Sequence, residues 1–224
     1  MSASAAPRAK SGFPSLRIDN NTAILYGIIV KLNKWIKDKH ILCDIDLSIS
    51  KGASIGFVGA NGSGKIMLLR AIAGLLHLDS GSIIYHRPMT KGVIIENPAF
   101  LNDLTGFDNL RYLASFRGII SDAHIRQVME NVLLDPDDRR KVKTYSLGMK
   151  QKLAIAQAIM ESPELLILDE PTRDLDEESV LCVRALLHTL RDSGVTILLS
   201  SHNKEDILSI CDQVLTIDNG ALVS

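Results

Sequence analysis

Gly59-Ala60-Asn61-Gly62-Ser63-Gly64-Lys65-Ile66-Met67 decides how the rest of this chain is read. It lies between a strand-like apolar run, Ala53-Ser54-Ile55-Gly56-Phe57-Val58, and a helix-like run from Lys65 to Leu76. A strand, a glycine-rich turn and a helix in that order are the setting of a phosphate-binding loop. Glycines let the backbone curl until successive N–H groups point inward at phosphate oxygens. The helix adds the positive end of its dipole, and the Lys65 ammonium reaches the β- and γ-phosphates. One position departs from this chemistry: the loop should close on a Ser or Thr hydroxyl for Mg²⁺, and Ile66 stands there. The loop alone is a modest signal, since a glycine-rich turn without a ligand has the same letters.

The surrounding composition narrows the class. At 224 residues, 46% hydrophobic and 23% charged, the chain reads as an ordinary globular protein with a substantial core. A net charge of −1 argues against a general nucleic-acid or acidic-membrane surface. Three cysteines without paired spacing, Cys43, Cys182 and Cys211, suggest a reducing, cytosolic setting. No apolar run approaches a membrane span, so any transport role needs a membrane partner on another chain. Residues 1–20, rich in Ala, Ser and Pro at their start, read as a disordered tail and 21–224 as the folded domain.

Alternation at Ile28, Val30, Leu32 and at Ile45, Leu47, Ile49 predicts paired strands before the loop. Trp35, the only tryptophan, lies between them, either as an adenine-stacking surface or as a half-buried strand aromatic. Short strands follow at Ile83–Tyr85 and Val93–Ile95, the second ending at Glu96-Asn97-Pro98, a place for a ligand-sensing loop or a solvated strand end. Residues 101–162 turn helical, with Thr105, Ser121 and Ser146 as N-caps and Asp135–Lys143 as a charged loop. Strand and helix then alternate: Leu165–Leu168, Val180–Leu190, Val195–Leu199, Lys204–Cys211, and a hairpin turning at Asn219-Gly220. The pattern predicts an α/β fold: a mainly parallel sheet with ligands at its strand C-termini, an N-terminal antiparallel β subdomain and an inserted helical subdomain.

Four stretches stand in order behind the loop. Asp169-Glu170 follows an apolar strand, so two carboxylates emerge at the ligand edge. The first suits a Mg²⁺ shell and the second an attacking water. Asp174-Leu175-Asp176 comes next, and Ser201-His202 ends the following strand. Taken with Tyr145-Ser146-Leu147-Gly148-Met149-Lys150-Gln151, the chain resembles the ATP-binding subunit of an ATP-binding cassette (ABC) transporter, a P-loop NTPase, over residues 24–224.

That resemblance implies roles. Trp35 stacks adenine; Gly59, Ala60, Asn61, Gly62, Ser63, Gly64 and Lys65 cradle phosphate, with Ile66 and Met67 closing the loop. Glu96 takes the Q-loop position beside the metal, and Asp169 the Mg²⁺ shell. Ser146 and Gly148 form the signature that meets the γ-phosphate of a second subunit. Glu170 is the catalytic carboxylate, Asp176 the D-loop acid and His202 the switch histidine. ATP and Mg²⁺ are the implied ligands. The implied partners are a second copy and separate integral membrane subunits, with the chain peripheral on the inner face of the membrane. The sequences Ser146-Leu147-Gly148-Met149-Lys150-Gln151, Ile95-Glu96-Asn97-Pro98-Ala99-Phe100 and Leu104-Thr105-Gly106 resemble the branch exporting bacitracin-like and lantibiotic-type peptides. Polysaccharide exporters share part of the signature. Ile66 sets up a second expectation, a cassette that closes on ATP but hydrolyses it slowly.

Overall fold

The computed structural model describes residues 25–96 and 99–223; the expected tail, and Asn97 and Pro98, lie outside them. Two sheets enclose one helix. Strands β1 (Leu25–Ile36) and β2 (Lys39–Ser50) form a long antiparallel hairpin, joined on its other edge by β4 (Ser80–Tyr85) in the order β2-β1-β4. The second sheet has six strands. They are β3 (Ser54–Val58), β5 (Lys91–Ile94), β6 (Leu165–Asp169), β7 (Thr196–Ser200), β8 (Gln213–Asp218) and β9 (Ala221–Val223). Their order is β5-β6-β7-β3-β8-β9, parallel except for the terminal hairpin β8–β9. That hairpin turns at Asn219 and Gly220, both with positive φ, as a two-residue turn of matching twist requires.

Side-chain alternation in the parallel strands divides the core. Leu165, Ile167 and Leu198 face one side with Leu68, Leu69 and Ile72 of α1 (Lys65–Ala73) and with Ile29, Leu32, Leu42 and Ile45 of the antiparallel sheet. Leu166, Leu168, Ile197 and Leu199 face the other side. There they meet α4 (Leu147–Ile159), α5 (Glu177–Asp192) and α6 (Lys204–Ile210). A strand covered on both faces needs no polar residue, hence the unbroken apolar runs. The helix expected from Lys65 to Leu76 stops at Ala73, because Gly74 adopts a left-handed φ of 83° and caps it.

Between the neighbouring strands β5 and β6 the chain leaves the sheet for α2 (Gly106–Ser115), α3 (Asp122–Glu130) and α4. All three begin at the expected caps: Thr105 accepts from Asp108 N, Ser121 from His124 N and Ser146 from Met149 N. Each cap satisfies an otherwise orphaned N–H, worth about 1 kcal/mol.

Candidate functional site

The C-terminal ends of β3, β6 and β7 open on one cavity of about 610 Å³. The loop after β3 forms its floor. Gly59 has φ 149°, and a Cβ there would lie 2.2 Å from the Ile217 carbonyl oxygen; Gly64 has φ 115°, and its Cβ would lie 2.9 Å from the Ile41 oxygen. Only glycine lets the loop pass between those two strands. Lys65 is buried, and its Nζ donates to the Gly59 and Ala60 carbonyls at 2.8 and 2.9 Å. The ammonium is thus held folded over the loop, in reach of whatever the loop's N–H groups bind.

Asp169 and Glu170 enter from the end of β6. Burial raises the Asp169 carboxyl above its usual range, against the pull of the Ser200 hydroxyl and the Lys65 charge. Burial also raises Glu170, opposed by the bond from the His202 backbone N–H. That N–H donates to Glu170 Oε1 at 2.9 Å, and His202 Nε2 lies 3.8 Å from the same oxygen. Glu170 itself is left-handed, with φ 49°. A carboxylate in a strained backbone, pre-oriented by a neighbour and pushed toward neutrality, suits a general base.

Ser146, Gly148, Asp174 and Asp176 surround a separate recess of about 450 Å³. A Cβ on Gly148 would lie 2.7 Å from the Asp174 carbonyl oxygen, so the two segments are in contact. Asp176 caps α5, accepting from Ser179 N at 2.8 Å, and these Ser179 bonds hold its carboxyl below the usual range. Gln151 connects the recess to the cavity, donating to the Glu170 and Pro171 carbonyls at 3.2 and 2.9 Å. Within one chain, then, loop and signature residues line different hollows.

The family profile described as ABC transporter matches residues 42–173. The chain belongs to the ABC transporter family. The ABC transporter ATP-binding protein YybJ of Bacillus subtilis is 42% identical over 203 residues, covering 87% of this chain and 93% of that protein. The lantibiotic transport ATP-binding protein SrtF of Streptococcus pyogenes is 35% identical over 202 residues, covering 87% and 88%. The fold is shared with the ATP-binding cassette MJ0796, solved as a dimer bound to ADP and phosphate. The TM-score is 0.81 at 20% identity, over 88% of this chain and 97% of that one. The chain is thus an ABC-type ATPase cassette.

Of the expected nucleotide residues, Asn61, Gly62, Gly64, Lys65, Ile66, Met67, Glu96, Asp169, Glu170 and His202 line the cavity together. Trp35 does not. It is 48% exposed on the β1–β2 hairpin, with its indole stacked on His40 at 3.8 Å and 3° between planes. Five lining residues have no counterpart in the sequence reading: Lys39 and Ile41 of β2, Arg70, Arg173 and Ser200 at the end of β7. Lys39 and Ile41 arrive from the other sheet, which no linear pattern could place. Arg70 was findable, since it lies four residues after Ile66 on one helix face.

Behind Glu170 and His202 is a hub that the sequence did not reveal. Asp206 on α6 is fully buried. Its Oδ1 accepts from Arg184 Nε at 2.7 Å, with Arg184 Nη2 at 2.6 Å. Its Oδ2 accepts from Thr172 Oγ1 and, at 3.0 Å, from Ser201 Oγ. The segments carrying Glu170 and His202 are thereby tied to α5 and α6.

The cavity's oxygens fall short of a protein-held Mg²⁺ site. Mg²⁺ takes six oxygens in a near-octahedral shell. Ile66, 37% exposed in the cavity wall, offers none. Glu96, expected on the metal's side, places Oε2 2.6 Å from Arg70 Nη2 instead. Among the described residues no group of three or more His, Cys, Asp or Glu side chains could hold a metal.

Proposed function

We propose that this chain is the ATP-hydrolysing subunit of an exporter. It works as a homodimer on the inner face of the membrane and drives separate integral membrane subunits that expel, or give immunity to, a peptide antibiotic. The observation that carries the ATPase part is the convergence of Lys65, Asp169, Glu170 and His202 on the loop's cavity. The antibiotic part is supported by the likeness to SrtF and by the Ser146–Gln151 and Ile95–Phe100 sequences. The dimer is supported by the separation of the loop cavity from the signature recess, which a second copy would bring opposite each other. Among the described residues no helix is long and apolar enough to cross a membrane, consistent with membrane subunits on other chains.

In this reading the polyphosphate binds the loop N–H groups, and Lys65 turns from the Gly59 and Ala60 carbonyls to its oxygens. Glu170 takes a proton from water as the new O–P bond forms and the β–γ bridging bond breaks, with ADP as leaving group. The His202 N–H holds Glu170 in place, and its imidazole lies beside the site of attack. Ile66 makes this chemistry slow: a missing oxygen beside developing charge costs about 2–4 kcal/mol in the transition state. The same residue favours a second reading, a cassette that closes on ATP and turns it over only rarely.

The test is turnover of MgATP across protein concentrations by wild type, Glu170→Gln and Ile66→Thr, alone and with the membrane subunits. Turnover that rises with concentration, disappears in Glu170→Gln and accelerates in Ile66→Thr is the expected result. Unchanged turnover in Glu170→Gln would remove that residue from its role.

A further inference from the structure

We infer that nucleotide binding by this cassette needs no divalent metal, because Arg70 is the built-in counter-ion of Glu96 and Ile66 withholds the oxygen by which a metal would be gripped. The inference rests on the nucleotide-binding reading above and concerns how the cavity's charge is balanced.

Ile66 and Arg70 are separated by one turn of α1 and line the same wall. Glu96, held in a left-handed conformation with φ 62° just after β5, meets Arg70 at 2.6 Å. The two groups form a close ion pair at the cavity rim, with the Arg70 side chain 31% and the Glu96 side chain 59% exposed. A free carboxylate in this wall would repel a triphosphate and attract a cation. A carboxylate already paired with a guanidinium does both less. Lys39, Lys65 and Arg173 add positive charge to the lining, which also carries Asp169 and Glu170. Arg70 therefore does internally, for Glu96, what a metal would otherwise have to do. A metal entering here would be held by phosphate and water oxygens and by Asp169, with nothing from the end of the loop.

The pair makes a prediction that no general property of the loop makes. Fluorescence titration with N-methylanthraniloyl-ATP, in excess Mg²⁺ and in EDTA, gives the ratio of the two dissociation constants. For wild type the ratio should stay within about fivefold of one. Arg70→Met leaves Glu96 unpaired, and its affinity in EDTA should fall tenfold or more, with Mg²⁺ restoring it. Arg70→Met combined with Glu96→Gln should return to metal independence, as should Glu96→Gln alone. Ile66→Thr should acquire a metal preference. A wild-type ratio beyond fivefold, or an Arg70→Met protein indifferent to Mg²⁺, overturns the inference while leaving the nucleotide site standing. Absence of binding by wild type under both conditions overturns the nucleotide site itself.

Discussion

Replacing Asp206 with Ala removes the one acceptor on which Arg184, Thr172 and Ser201 converge, and leaves a guanidinium stranded against the core. Asp206 is fully buried and the Arg184 side chain only 14% exposed, so water cannot readily take the carboxylate's place. Breaking a buried pair from one side costs about 3–5 kcal/mol. Arg184 keeps a 3.0 Å contact to the exposed Glu205, which favours the lower part of that range. A loss of about 3–4 kcal/mol corresponds to a Tm lower by about 6–16 °C for a domain of this size. Urea unfolding followed by circular dichroism measures it directly. Arg184→Met should cost a similar amount, because it strands the carboxylate instead. The double variant Asp206→Leu with Arg184→Met should recover much of the loss, since neither charge remains. An Asp206→Ala protein within about 1 kcal/mol of wild type, or single effects that simply add, would refute the hub as a buried ion pair.

Three further outcomes follow from the site. Glu170 has its folded-state pKa raised by burial, so its ionisation opposes folding: its relative stabilising contribution is fully present below the unfolded-state pKa and is lost as pH rises through the folded one. Glu170→Gln should therefore be more stable than wild type to urea at pH 7, and the difference should shrink as pH falls toward about 4.5. Gly148→Ala places a methyl group 2.7 Å from the Asp174 carbonyl oxygen. It should cost about 1–3 kcal/mol or displace that segment, lowering turnover with little change in nucleotide affinity, as read by titration beside a rate assay. His202→Ala removes the imidazole but keeps the backbone N–H that holds Glu170. Nucleotide binding should survive, and MgATP turnover should fall by about 10²-fold or more.

Much of this was legible in one dimension because the elements carry local instructions. Thr105, Ser121 and Ser146 announce their helices by hydroxyls that accept from the N–H three residues on. Leu165–Asp169 is a buried strand because both of its faces are covered, which apolar letters report directly. Asn219-Gly220 specifies its turn through positive φ. Partnership was less legible. Glu96 reads as a spare charge near the metal position until the fold lays it against Arg70. Trp35 reads either as an adenine-stacking surface or as a half-buried strand aromatic, and only the hairpin brings His40 onto its ring.

By itself the sequence determined the loop, its missing hydroxyl at Ile66, the carboxylate pair, the signature and the order of strands and helices. Each of these is set by neighbours within a few residues, through backbone conformation or side-chain periodicity. Only the tertiary structure decided which charges face each other: Arg70 with Glu96, Arg184 with Asp206, Glu170 with the His202 N–H. These pairs join residues far apart in the chain, and whether a charge is free or balanced depends on distances of a few ångströms that only the packing of both sheets around α1 fixes.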